Sequence, residues 1–262
     1  MKNEIFLSVV IPCYNESENL KRGVLEEVYD FLKKQDFSWE VIISDDGSTD
    51  DSREIIREQI KDKKNFRLIE NPHGGKPSAV WNGIKNSQGE HVLFTDMDQS
   101  TPLREVLKLI PYFGGYEVVI GSRGMERENF SILRKIGSNV FRLLRKFLLL
   151  RNIKDTQCGF KAFRTDVAKK IFPMLQFFKT EKAVKGWKVT SFDVELLFIA
   201  EKFGYKIKEV PVEWRDRDVS TGKKKSYIKE SWDMLKQIFR VKLNDLKGLY
   251  KINQKSKIKN QN

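Results

Sequence analysis

Cysteine and histidine are scarce in this sequence, with 2 of each among 262 residues. Cys13 and Cys158 are too few for the disulfide framework of a small secreted protein, and they suit a reducing compartment. His73 and His91 form no cluster with cysteine, so the sequence offers no ligand set for structural zinc. Any bound metal is therefore expected to be a hard cation held by oxygen atoms.

Long apolar runs are missing as well. Nowhere do 18 uncharged apolar residues follow one another, and the apolar run near the N-terminus is too short for a convincing signal peptide. We therefore expect a cytosolic chain that does not span a membrane. With 40% hydrophobic residues, the chain is long enough to bury one large core.

The net charge of +13 is concentrated towards the C-terminus. Residues 220–262 contain twelve Lys or Arg and three acidic residues. This bias predicts a basic, amphipathic tail over residues 221–262, which suits an anionic membrane surface or nucleic acid. A solvated tail that binds nothing is the simpler alternative.

Strand-like and helix-like patterns alternate along the first half of the chain, which predicts an α/β fold with a mostly parallel, Rossmann-like sheet and helices on both faces. Strands are predicted at residues 6–14, 39–46, 66–71, 90–96, 116–123, 158–163 and 205–214, and helices at 16–34, 50–63, 76–87, 103–113, 132–152 and 191–204.

Polar clusters follow several of these strands at the point where each strand ends. In a parallel sheet the carboxyl ends meet at one edge, where ligands bind. One cluster contains Asp96 and Asp98, whose side chains would point the same way if the strand continued. Two carboxylates at such short range repel each other unless a cation lies between them, so a metal such as Mg²⁺ or Mn²⁺ is expected here.

Two further clusters suggest contacts with a nucleotide. Asp45 or Asp46, at the end of a strand, could accept hydrogen bonds from a base or a ribose. Lys76 follows two glycines at a helix start, where it could meet a phosphate, although Pro77 also fits a plain first helical turn. The stretch 131–152 has a broad apolar face with basic flanks, so it is either a core helix or an interfacial helix on a bilayer.

The motifs "VVIPCYNESENL", "VIISDDGSTDDS", "VLFTDMDQSTP" and "VVIGSRG" stand in an order and at separations that resemble family-2 inverting glycosyltransferases of the GT-A fold. The resemblance covers about residues 5–215. It implies a catalytic domain over residues 1–220, including the 131–152 helix, in which Asp96 and Asp98 hold a divalent cation against the diphosphate of a nucleotide sugar.

The motifs "DTQCGFKAF" and "SFDVELLFIAEKFGYKIKEVPVEW" resemble polyprenyl-phosphate sugar transferases, and among these the dolichyl-phosphate glucosyltransferases and then the mannose synthases. This resemblance implies transfer of glucose from UDP-glucose to a polyprenyl phosphate at the cytoplasmic face of a membrane. Many of those enzymes carry membrane-spanning helices, whereas this chain is expected to attach peripherally. GDP-mannose as the donor, or a glycan hydroxyl as the acceptor, remains an alternative.

The resemblance and the need for positive charge near two anionic reactants together suggest the site residues. Gln99 is an alternative to Ser100 as a metal ligand. By resemblance to the mannose synthases, Arg215, Arg217 and Lys223, which follow the last predicted strand, are expected to hold the diphosphate, with a flexible charged loop as the alternative. The expected catalytic residues are Asp98, Arg123, Asp155 and Asp193; the expected substrate-binding residues are Pro12, Tyr14, Glu16, Asp45, Asp46, Lys76, Asp96, Arg134, Gln157, Lys161, Arg215 and Lys223; the expected metal ligands are Asp96, Asp98 and Ser100.

Three alternatives remain open. Asp193 and Glu195 should lie on different faces of their helix, so at most one points into the site, and Asp193 could instead cap the helix. A hydroxyl acceptor would require one of these carboxylates as a base. A nucleic-acid-binding protein is the remote alternative, and it is disfavoured because no recognised nucleic-acid motif is present.

Overall fold

The computed structural model describes residues 4–124, 149–150, 153–179, 192–219 and 227–250, with side chains from residue 235 onwards in the last range. The chain forms two compact units. One contains residues Met1–Phe130 and Ile153–Lys225, and the other contains Ser131–Asn152 and Ser226–Asn262. The predictions for Arg134, for Lys223, for most of the 131–152 helix and for the end of the tail lie outside the described residues.

The described residues of the first unit form a seven-stranded sheet. Its strand order is β3-β2-β1-β4-β6-β5-β7, and β6 is antiparallel to both neighbours while the other pairs are parallel. This confirms the predicted α/β class with a mostly parallel sheet. The strands are β1 (Leu7–Cys13), β2 (Trp39–Asp45), β3 (Phe66–Glu70), β4 (His91–Phe94), β5 (Val118–Ser122), β6 (Lys161–Arg164) and β7 (Ile207–Pro211).

Helices cover both faces of this sheet. Val9 and Ile11 of β1 belong to the core cluster that includes Val24 and Leu25, whereas Val10, on the opposite face, packs against the helix that follows β3. The helices of the first unit are α1 (Ser17–Lys21), α2 (Val24–Leu32), α3 (Ser52–Ile60), α4 (Lys76–Lys85), α5 (Val106–Leu109), α6 (Thr165–Ile171) and α7 (Phe192–Lys202), with short 3-10 turns beside α5 and α6.

Two predicted helices are interrupted. The helix expected over residues 16–34 breaks at Gly23, whose φ of 85° lies in the left-handed region that only glycine adopts at little cost. The helix expected over residues 103–113 is α-helical only at Val106–Leu109; it begins as a 3-10 turn over Leu103–Glu105 and changes to a second 3-10 turn over Ile110–Tyr112. Pro111 explains that change, because it lacks the N–H group that an α-helix needs there.

The order of the strands creates a crevice at the carboxyl ends of β1 and β4. The chain runs from β1 outwards to β2 and β3, then returns to place β4 on the other side of β1. Connections that leave in opposite directions open a gap beyond the strand ends, which is the usual ligand site of such sheets.

The antiparallel strand β6 brings a distant segment to this crevice. Lys161, the first residue of β6, pairs with Phe94 at the end of β4 and with Ile120 near the end of β5. Residues 155–160, which precede β6, therefore lie beside the residues that follow β4 and β5. This placement explains the contacts of Asp155 with Arg123 and of Gly159 with Asp96 that are described below.

The second unit contains α8 (Tyr227–Leu246). Ile238 and Val241 are buried, whereas Phe239, Leu243 and Leu246 are exposed. In the parts of the chain that the structure describes, no helix combines the length and the apolar character needed to cross a bilayer.

Candidate active site

Asp96 and Asp98 lie on the turn directly after β4. Met97 between them is only 2% exposed, whereas both carboxylates are partly exposed, so they share the open side of the turn. Burial, together with the nearby charge of Asp96, raises the pKa of Asp98 above its ordinary value. The turn therefore concentrates negative charge at the mouth of the crevice.

Residues next to the carboxylates hold the turn in place. The backbone N–H of Ser100 donates to Oδ1 of Asp98 at 2.9 Å, and the Ser100 hydroxyl also interacts with this carboxylate. Gln99 adopts a φ of 49°, and its side-chain Nε2 donates to the backbone oxygen of Asp96 at 2.9 Å. Because the Gln99 amide is directed to a backbone oxygen whereas the Ser100 hydroxyl lies at the Asp98 carboxylate, Ser100 is the better candidate for a metal ligand.

Arg22, which the sequence analysis missed, connects this turn to the segment after β7. Its Nη2 donates to the backbone oxygen of Asp98 and its Nη1 to that of Arg217, both at 2.7 Å. The guanidinium fork can join two separate carbonyl groups in this way, whereas an ammonium presents no fixed fork. No sequence motif marks Arg22, because its partners are 76 and 195 residues away.

Lys76 forms an ion pair with Asp96. Its Nζ is 2.5 Å from Oδ1 of Asp96, and only 13% of its side chain is exposed. Burial alone would lower the pKa of Lys76, but the charges of Asp96 and then Asp193 raise it above its ordinary value. Lys76 therefore remains a cation in the crevice.

The two aspartates at the end of β2, Asp45 and Asp46, are bonded to neighbouring groups of the chain. Asp45 accepts hydrogen bonds from the backbone of Gly47 and Ser48 and forms a 2.6 Å ion pair with Arg53. Asp46 is fully buried and accepts the N–H groups of the two glycines before Lys76, at 2.9 and 2.7 Å. Since Asp46 uses those N–H groups, the glycine backbone is not positioned to bind phosphate, and only Lys76 remains available for that role.

The expected nucleotide pocket lies at the end of β1. Tyr14 is half-buried and stacks on His73, with ring centroids 4.6 Å apart. Pro12 is buried within β1, and Glu16 is buried and accepts a 2.7 Å hydrogen bond from Asn19. Of the three residues predicted here, Tyr14 is thus the one that is not buried.

Lys161 and Asp193 form an ion pair with each other. Nζ of Lys161 is 2.7 Å from Oδ1 of Asp193, and the lysine side chain is fully buried. Asp193 lies in the first turn of α7 and does not cap it, so the capping alternative is wrong. Glu195 instead accepts the backbone N–H of Gln176 at 2.9 Å, which places the two carboxylates on different helix faces, as the spacing predicts.

Arg123 and Asp155 are joined by two parallel bonds. Nε of Arg123 is 2.7 Å and Nη2 is 2.9 Å from the carboxylate oxygens, and the arginine backbone N–H also donates to Asp155. Burial alone would raise the pKa of Asp155, but Arg123 holds it well below the usual range. The backbone N–H of Gln157 donates to the same carboxylate, while its side chain is exposed. Asp155 is therefore a partner that fixes Arg123.

The backbone of Gly159 approaches Asp96 so closely that no side chain would fit between them. Gly159 is a second residue that the sequence analysis missed. A Cβ atom on Gly159 would lie 2.1 Å from Oδ2 of Asp96. The strand pairing described above brings the backbone of Gly159 this close to the carboxylate. The signal was present in the "CGF" motif, but which residue it contacts depends on the antiparallel direction of β6.

The basic residues after β7 differ in their surroundings. The backbone N–H of Arg215 donates to the backbone oxygen of Ser100 at 2.8 Å, and its side chain is exposed. The guanidinium of Arg217 is paired with Glu27 at 3.0 and 2.8 Å. Arg217 therefore secures the segment against α2, and Arg215 is the better candidate for a diphosphate contact.

The donor set around Asp96 and Asp98 fits a hard divalent cation. Two carboxylates and one hydroxyl are oxygen ligands of the kind that Mg²⁺ and Mn²⁺ prefer, and such ions are commonly held by one or two carboxylates together with substrate phosphates. Among the residues that the structure describes, no group of three or more His, Cys, Asp or Glu side chains comes together as a metal site. The arrangement therefore suits an ion that a bound diphosphate helps to hold.

Comparison with known proteins identifies the class. The chain belongs to glycosyl transferase family 2, whose family model matches residues 8–172. It is similar to the dolichyl-phosphate beta-glucosyltransferases of Saccharomyces cerevisiae, with 36% identity over 96% of this chain and 78% of the relative, and of Homo sapiens, with 33% identity over 96% and 79%. The protein of the same name from Dictyostelium discoideum is 33% identical over 95% and 78%.

Solved structures share the fold. Glucosyl-3-phosphoglycerate synthase from Mycobacterium tuberculosis, determined with Mn²⁺ and UDP, matches 92% of this chain and 79% of its own with a TM-score of 0.58 and 20% identity. A mannosyltransferase from Pyrobaculum calidifontis, determined with GDP-mannose and Mn²⁺, matches 83% and 57% with a TM-score of 0.54 and 18% identity. These likenesses support the GT-A architecture.

Proposed function

We propose that this protein transfers glucose from UDP-glucose to a polyprenyl phosphate such as dolichyl phosphate, with inversion at the sugar, at the cytoplasmic face of a membrane. The names of the curated relatives support this donor sugar and this acceptor. The observation that carries the proposal is a group of three nearly buried cations, Lys76, Arg123 and Lys161, each of which is held in the crevice by an ion pair with an aspartate. Two anionic reactants can be brought together there only if positive charge offsets their repulsion.

The acceptor chemistry explains why the site can work without a strong base. A phosphate monoester is largely ionised at neutral pH, because its second pKa is about 6. Asp193 and Glu195, the carboxylates that a hydroxyl acceptor would require, are both bonded to other groups of the chain. The site therefore favours an acceptor that is already a nucleophile.

The remaining work is positioning and charge stabilisation. Asp96 and Asp98 would hold Mg²⁺ or Mn²⁺, with Ser100 as a third oxygen ligand, and the ion when bound acts as a Lewis acid on the leaving diphosphate. Lys76 and Arg215 contribute positive charge on the donor side. Arg123, fixed by Asp155, does so on the acceptor side, and Tyr14, which stacks on His73, would border the base.

Transfer of label into lipid tests the proposal. We expect purified protein with Mn²⁺, UDP-[¹⁴C]glucose and polyprenyl phosphate in detergent to produce label that extracts into organic solvent. Unphosphorylated polyprenol of the same length is the matched acceptor control and should remain unlabelled. Label from GDP-mannose alone would show that the donor is wrong, and transfer to polyprenol would show that the acceptor is wrong.

The exposed surface of α8 supports attachment to a bilayer. Phe239, Leu243 and Leu246 follow the i, i+4, i+7 spacing of one helix face and are 56%, 50% and 74% exposed. The exposed side chains of Lys236, Arg240 and Lys247 lie along one edge of this apolar stripe. Apolar side chains flanked by basic ones suit the surface of an anionic membrane, which also holds the acceptor.

A vesicle assay tests this attachment. We expect Leu243→Ser/Leu246→Ser to weaken binding to vesicles containing phosphatidylserine by at least about tenfold, because each exposed leucine contributes roughly 1 kcal/mol or more when it enters the interface. Leu107→Ser is the matched control, since Leu107 is 47% exposed in the other unit. Equal sedimentation of the double variant and the control with these vesicles would contradict the assignment of this face.

A further inference from the structure

We propose that Lys76 and the divalent cation compete for Asp96, and that binding of the donor resolves this competition because its diphosphate takes over the ammonium of Lys76. The inference rests on the proposed function, since it assumes that a metal and a diphosphate share this crevice. It adds that the two ligands bind with positive cooperativity and that Lys76 is the residue that couples them.

The contact with Asp96 is the first step of the argument. Lys76 Nζ lies 2.5 Å from Oδ1 of Asp96, so the ammonium and this carboxylate oxygen are in direct contact as an ion pair. A metal ligand must offer a lone pair to the ion, and Oδ1 already directs one towards the ammonium. A divalent ion on this oxygen would also stand next to a positive charge, and like charges at that range repel strongly where little water screens them.

The second oxygen of Asp96 offers no easy alternative. A Cβ on Gly159 would be 2.1 Å from Oδ2, so this oxygen faces the backbone of the segment before β6. The carboxylate thus lies between Lys76 on one side and Gly159 on the other. An ion that binds Asp96 without displacing Lys76 must share an oxygen with it.

The charges around Lys76 favour this exchange. Asp96, Asp98 and Asp193 all attract it, while Lys161 already neutralises Asp193. The five side chains carry three negative and two positive charges, so a divalent ion alone would leave the group net positive. A diphosphate brings the missing negative charge, and its oxygens are strong acceptors for a lysine ammonium.

Lys76 is also placed so that it can move. It is the first residue of α4, and its long side chain can swing without disturbing the helix hydrogen bonds. Coupling between two ligands is reciprocal: if a diphosphate draws Lys76 away and tightens metal binding, the metal must tighten diphosphate binding by the same factor.

Measurement of Mn²⁺ binding without nucleotide, by electron paramagnetic resonance of the free ion, tests the competition. We expect Lys76→Met to bind Mn²⁺ at least about fivefold more tightly than the wild type. Lys76→Arg retains the cation and should remain close to the wild type. Lys85→Met removes an exposed lysine from the other end of α4 and should change nothing.

Measurement of UDP binding in saturating Mn²⁺ tests whether the diphosphate takes over the ammonium of Lys76. We expect Lys76→Met to bind UDP more weakly, and the factor by which UDP tightens Mn²⁺ binding to shrink towards one. A disturbed fold would weaken both ligands together, so opposite signs identify competition. Mn²⁺ binding that is unchanged, weaker or undetectable in Lys76→Met overturns the inference, whereas the proposed function fails separately, through the absence of lipid label in the wild type.

Discussion

Asp98→Asn is expected to reduce sugar transfer by about 10²–10³-fold while leaving the fold as stable as before or more stable. The loss follows because one of the two carboxylates that would hold the cation against the leaving diphosphate becomes neutral, and electrostatic groups of this kind contribute about that much to catalysis. Stability should not fall, because Asp98 is disfavoured as an anion by burial and by Asp96, and asparagine can still accept the N–H of Ser100.

Two measurements on the same preparation check this prediction. Initial rates of lipid labelling give the loss of transfer, and thermal unfolding gives the change in stability. Asp30→Asn is the control, since Asp30 lies on the surface in an ion pair with Lys33. If Asp98→Asn kept more than about a tenth of the wild-type rate, the pair of carboxylates would be removed from the proposed mechanism. Such a rate is far above the remaining activity that a loss of about 10²–10³-fold would leave.

Gly159→Ala is expected to lower the rate of sugar transfer by about 10²-fold, even though the substitution adds only one methyl group. The new Cβ would stand 2.1 Å from Oδ2 of Asp96, so the carboxylate must rotate away. Displacement of a site group by about 1 Å can cost on the order of 10² in rate. Because the atom that must move ends a side chain rather than belonging to the backbone, the protein should still fold.

Gly114→Ala provides the comparison. A Cβ on Gly114 meets nothing within 4 Å, so the same chemical change should leave both rate and stability unaltered. Circular dichroism and thermal unfolding would establish that Gly159→Ala is folded, and Mn²⁺ affinity should decrease together with the rate. Normal activity in folded Gly159→Ala would mean that the position of Asp96 is not critical.

Local patterns in the sequence were sufficient to predict the parallel core of the fold. Alternating strands and helices, with polar residues at the strand ends, place Asp96 and Asp98 at the crevice without any knowledge of the tertiary structure. The same patterns did not predict the break at Gly23, although a glycine within a helical pattern often marks the end of a helix. It also extended a helix through Pro111, where the missing N–H group should have ended it.

Contacts that depend on the path of the chain were beyond such patterns. The role of Gly159 follows from the antiparallel pairing of β6, and the role of Arg22 follows from two carbonyl groups that are distant in sequence. Asp46 was assigned to the nucleotide because it ends a strand, yet the loop before α4 folds back and occupies it. The residue types at the site were predictable, but the pairing of those residues was not.

The bidentate bond between Arg123 and Asp155 has a consequence for how this protein could vary. It joins the point where the chain leaves the sheet after β5 to the point where it returns before β6, and Glu209 adds two bonds to the backbone of Lys154 and Asp155. These bonds fix the point where residues 124–154 leave the sheet and the point where they return to it. A change of sequence between the two points therefore does not by itself alter the distance between them.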